Sequence, residues 1–77
     1  MKTFELWTAS EAELKKIVRH LNDSADEAWG ESLNWTKTAR GRATTVETLE
    51  MAVELASMLL DVVEDEDEVE VRIANKK

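Results

Sequence analysis

The side chains able to do chemistry are few, and most of them stand in one short run, Glu64-Asp65-Glu66-Asp67-Glu68. Consecutive carboxylates hold a hard cation only when their oxygens converge. Calcium loops achieve this by spacing the ligands and placing a Gly at the sharp central turn, and the run has neither feature. As a solvated turn it aids solubility and guards a strand edge. As a docking patch it engages a basic protein partner, in the manner of a small inhibitor or a nucleic-acid mimic.

The single imidazole, His20, is predicted to be a solvated residue at the edge of a helix, beside charged neighbours. The chain has no Cys, and no Ser or Thr is recognisably paired with His20 and a carboxylate, so a nucleophile with its base and orienting acid has no support. Gly30 and Gly41 are isolated, which leaves no phosphate-cradling loop. The sequence therefore predicts no catalytic, cofactor-binding or metal-binding residues, and no cofactor.

Trp7 is the remaining candidate. In Thr3-Phe4-Glu5-Leu6-Trp7-Thr8, strand alternation sends Phe4 and Leu6 to one face and Trp7 to the other. On a two-layer fold that other face meets water. An aromatic there forms a binding spot or packs against cross-strand neighbours, and the second role is expected because Glu5 and Glu70 share the face. Trp29 and Trp35 read as core or core edge.

These residues are positioned by six predicted elements. The first strand is followed by Ser10-Glu11-Ala12-Glu13, a capping box that opens a helix. Leu14, Ile17, Val18, Leu21, Ala25, Ala28 and Trp29 then fall within an arc of about 120°, so the helix runs from Glu11 to Trp29 with Gly30 as its left-handed C′ residue. Alternation resumes over Glu31 to Ala39, with Leu33 and Trp35 on one side. Arg40-Gly41 stands where a two-residue hairpin turn belongs. Arg42 to Val46 is a short third strand, and Thr48 caps the next helix.

That second helix, Thr48 to Glu64, carries the most apolar surface. Glu50, Glu54, Ser57, Asp61 and Glu64 occupy one strip, and apolar residues fill the remaining arc of about 220°, twice what an ordinary surface helix needs. Its Met51 and Met58 margin lies furthest from Ala52 and Ala56. Left uncovered, that margin is a homodimer or partner-helix surface. Val69, Val71 and Ile73, alternating with Glu68, Glu70 and Arg72, form the last strand.

The order is βαββαβ, a ferredoxin-like α+β two-layer sandwich spanning residues 1–77 as a single domain. The rival is βαβαβ, a three-stranded sheet with two helices on one face and residues 40–47 as a loop. The helix of about 17 residues is too short and too acidic for a membrane span, and residues 1–10 lack a signal peptide's apolar region. A cytoplasmic setting is the expectation, or recombinant expression alone for a designed chain.

Charge is unevenly distributed. Residues 1–45 hold seven basic and seven acidic side chains, whereas residues 46–77 hold ten acidic and three basic, which accounts for the net charge of −7. That balance opposes nucleic-acid binding, which relies on Lys and Arg to neutralise phosphates. Pro, Cys, Tyr and Gln are all absent, a pattern more ordinary in a sequence chosen by a designer than in a natural one. Two readings result. One is a designed or computationally redesigned domain with no biochemical activity and no required partner. The other is a natural acidic interaction module that docks on a basic partner.

Overall fold

The computed structural model describes residues 1–63 and 68–76. The elements are β1 (Lys2–Thr8), α1 (Glu11–Trp29), β2 (Thr36–Lys37), β3 (Arg42–Val46), α2 (Leu49–Leu59) and β4 (Val69–Asn75). They form the ferredoxin-like arrangement, a four-stranded antiparallel sheet in the order β2-β3-β1-β4 with two helices. Residues 40–47 are thus not the loop of a three-stranded alternative, since Arg42 to Val46 pairs with Leu6 to Lys2.

Alternation in β1 decides the layering. Phe4 and Leu6 are fully buried beneath the helices, and in register Phe4 faces Thr44 on one side and Ile73 on the other. Leu14, Ile17 and Leu21 from α1, together with Ala52, Leu55 and Leu59 from α2, complete the core with Val46. Ala25 is also buried, Val18 and Trp29 are half-buried, and Ala28 at the end of the predicted stripe is exposed.

Both helices start at their predicted N-cap residues, with the hydroxyl half of the Ser10 capping box formed. The Ser10 hydroxyl accepts the Glu13 amide at 3.3 Å, and the Thr48 hydroxyl accepts the Met51 amide at 3.2 Å. These bonds satisfy amides that have no partner inside the helix. Gly30 ends α1 at φ 65°, and its amide donates to the Asp26 carbonyl at 2.9 Å. Only a residue without a side-chain penalty takes that conformation freely.

Three boundaries differ from expectation. The strand predicted over Glu31 to Ala39 shrinks to Thr36–Lys37, because Leu33 and Trp35 alternate to pack against the core and not to sustain a ladder. Trp35 is held there from two sides. Its indole N–H donates to Asn22 Oδ1 at 2.7 Å, and its ring meets Phe4 edge-on at 6.2 Å.

The hairpin loop has four residues, 38–41, instead of two. Thr36 pairs with Ala43 and Lys37 with Arg42, and the loop closes through Thr38 N–H to the Gly41 carbonyl and Gly41 N–H to Thr38 Oγ1, both 2.9 Å. Finally, α2 stops at Leu59 and not at Glu64. The amides of Leu60, Asp61 and Val62 reach back only three residues, to the carbonyls of Ser57, Met58 and Leu59, a tightened last turn. No basic side chain in that turn offsets the negative helix end.

Gly41 is needed for room and not for its dihedral angle. A Cβ there would lie 2.1 Å from the Leu6 carbonyl oxygen and 3.1 Å from the Trp7 Cα, whereas a Cβ at Gly30 meets nothing within 4 Å. We therefore expect Gly41→Ala to cost about 3 kcal/mol or more by forcing backbone against backbone, and Gly30→Ala about 1–2 kcal/mol from its left-handed conformation alone. Urea denaturation of the two variants checks the order, and a Gly41→Ala protein as stable as the parent would contradict the close approach.

Candidate functional site

The outer sheet face is built by strand parity. Residues paired in register share a face, so Thr3, Glu5 and Trp7 of β1 lie with Ala43 and Thr45 of β3 and with Glu70, Arg72 and Ala74 of β4. Trp7 stands opposite Glu70, and Glu5 stands opposite Arg72. The hairpin loop then brings Arg40 over this surface. Its guanidinium carbon sits 4.8 Å from the centre of the Trp7 ring, and its Nη2 donates to Glu70 Oε2 at 2.6 Å.

Glu5, Trp7, Arg40, Glu70, Val71 and Arg72 together line a shallow recess of about 320 Å³. The recess carries two cations and two carboxylates. Three of its components already satisfy one another, since Arg40 covers the half-buried indole and is neutralised by Glu70. The ion pair is more than half exposed at both ends, so its own stabilisation is at most about 1 kcal/mol. The stacking contributes about 0.5–1 kcal/mol.

Trp7 thus faces away from the helices and shares its face with Glu70, as alternation predicts, with Arg40 as a further neighbour, and Trp35 lies at the core edge on the helix side, against Phe4. Parity alone placed Glu5, Glu70 and Arg72 with Trp7. Nothing in the sequence pattern pointed to Arg40, because a four-residue loop has no periodicity from which to read a direction.

Met51 and Met58 lie on the covered side of α2, half-buried against the core. The apolar residues that α2 and its following turn leave about half exposed are Leu49, Val53 and Leu60, on the opposite margin beyond Ala56. The methionine margin is thus already partly covered within the chain itself. Of the acidic run, Glu68 is exposed, and Glu64, Asp65, Glu66 and Asp67 lie outside the described residues.

His20 is less solvated than its position predicts. Its side chain is 30% exposed, and Nε2 is buried without a hydrogen-bond partner, 4.0 Å from Asp61 Oδ2 in the turn after α2. Arg42, on the helix side of β3, reaches the Glu11 carboxylate in the first turn of α1. Among the described residues, no group of three His, Cys, Asp or Glu side chains is arranged to hold a metal ion. No described helix is long and apolar enough to cross a membrane.

Compared with protein families, curated proteins and solved structures, the chain matches none of them.

The stacking makes a specific prediction. Arg40→Ala should lower stability by about 0.5–1 kcal/mol and shift the Trp7 indole N–H resonance, leaving the Trp35 resonance in place because its bond to Asn22 is remote. Asn22→Ala should do the reverse to the indole spectrum, moving Trp35 alone and costing about 1 kcal/mol for the lost bond. Two-dimensional NMR of the indole region reads both, and a Trp7 signal indifferent to Arg40→Ala would refute the contact.

Proposed function

We propose that the chain is a non-catalytic domain of designed or redesigned origin, with no cofactor, no nucleic-acid partner and no required protein partner. The observation that best supports this reading is the self-satisfied recess on the sheet face. Its aromatic ring is covered by Arg40 and its nearest carboxylate is neutralised by the same guanidinium, so three of the groups a ligand would meet already contact one another. The four missing residue types support a designed origin. The untidy end of α2 fits redesign on an irregular backbone better than an idealised one.

A second reading has its own support in the charge asymmetry, ten acidic against three basic residues over 46–77. That imbalance suits docking on a basic protein surface, where complementary potential speeds encounter and selects the partner.

One titration separates the two. The ¹⁵N-labelled chain is mixed with a lysine-rich peptide and, separately, with single-stranded RNA, at low salt and at about 0.15 M, where screening acts beyond about 8 Å. A non-catalytic domain with no required partner gives no saturable shifts with either. Saturable binding of the peptide, weakened by salt and lost on charge reversal at Asp65 and Asp67, would favour the interaction module. Base-dependent shifts at Trp7 with RNA would overturn both.

A further inference from the structure

The two edges of the sheet are unequal. β2 exposes only two residues, whereas β4 ends the sheet with seven, paired without interruption to β1 and, among the described residues, on that side only. A long strand edge presents a row of unpaired amides and carbonyls to any second strand, and proteins blunt such edges with Pro, with charged side chains (Lys above all), with bulges, with a covering loop or by short length. β4 has no Pro and no Lys, and its ladder with β1 shows no bulge. Its charges are Glu70 and Arg72, of opposite sign and two residues apart on the same face.

We infer that β4 is a homodimer edge, pairing antiparallel with β4 of a second copy about a two-fold axis at Val71. The register follows from charge and parity. A two-fold axis through the sheet keeps both helical layers on one side, so outer-face residues must meet outer-face residues. With the axis at Val71, Glu70 of each copy faces Arg72 of the other twice over, Val71 meets Val71, and Val69 meets Ile73. Moving the axis to either neighbour places Glu70 against Glu70 or Arg72 against Arg72, and like charges directly opposite are destabilising. Only the Val71 register joins unlike charges on one face and apolar side chains on the other.

The exposure of Val71 agrees with this reading. It lies on the helix side of the sheet, opposite Leu6, yet it is 37% exposed while Leu6 is fully buried. Its uncovered flank is the one a second β4 would cover. Across the joined sheets, Arg72 would lie between Glu5 of its own β1 and Glu70 of the second copy, which extends the alternation of charge already present. A strand pair buries little area, so the dimer is a weak one.

The inference is independent of the non-catalytic reading, because it concerns association and not activity. It is tested by sedimentation equilibrium over about 10 µM to about 1 mM, the range that suits a weak interface. The parent chain should show reversible dimerisation. Glu70→Arg and Arg72→Glu each place like charges opposite one another twice, and each should weaken self-association at least about fivefold.

Mixed in equal amounts, the two variants should form a heterodimer of parental strength, since every cross-strand pair is then unlike. The double variant should likewise self-associate as the parent does, and circular dichroism confirms that each chain is folded. A parent that stays monomeric at about 1 mM would overturn the inference. So would a mixture no stronger than its components, or dimerisation lost on Val53→Glu and indifferent to the charge swaps.

Discussion

Everything in this structure depends on the burial of β1. It pairs with β3 along one side and β4 along the other, and both helices pack across its inner face, where Phe4 and Leu6 have no exposure. Two side chains of this size, fully withdrawn from water, contribute about 1.5–3 kcal/mol each, a substantial share of what a domain of this length can supply. The same strand receives the hairpin loop so closely that Gly41 has no room for a side chain beside the Leu6 carbonyl. The helices supply area, but the central strand is where every layer meets.

Periodicity exposed those parts of the fold whose burial is one-sided and regular. The inner stripe of α1, the β1 alternation and both capping residues are local patterns with one physical cause each, and the structure forms them except at Ala28, where the stripe ends in solvent. The segment from Glu31 to Trp35 shows where such reading fails. Leu33 and Trp35 alternate with polar residues, as a strand does, yet they are held by packing and by the bond from Trp35 to Asn22. Alternation reports which side chains are buried, and a ladder needs a neighbouring backbone as well. The end of α2 was hidden for a related reason, since Leu60, Val62 and Val63 continue the apolar character after the hydrogen bonds have tightened.

The outer face shows the same limit in another form. Strand parity places Glu5, Trp7, Glu70 and Arg72 together, but the residue that closes the group comes from the hairpin loop. Arg40 shields the indole and neutralises Glu70 at once, so a pattern that looks like an exposed aromatic beside acids becomes a neutral, self-contacting surface. His20 is the converse case. On its own helix it reads as solvated, and it is the turn after α2, carrying Asp61, that draws its surroundings in.

The wide apolar arc of α2 looks at first like a second interaction surface, and the architecture argues against that. In a two-layer fold a helix is covered by the sheet below and by one helix beside it, which leaves its outer margin to water whatever residues stand there. Leu49, Val53 and Leu60 occupy that margin, and exposed apolar residues of this kind are normal on a domain that buries only about 60% of its chain surface. An exposed side chain can remain exposed at modest cost, because it has no direction to satisfy. An unpaired backbone edge is different, since its donors and acceptors are directional and regularly spaced, and a strand of matching charge pattern meets them all at once. The edge of β4 is therefore the feature that most constrains what this molecule can associate with, and the alternating Glu70 and Arg72 make its own copy the best-matched strand available.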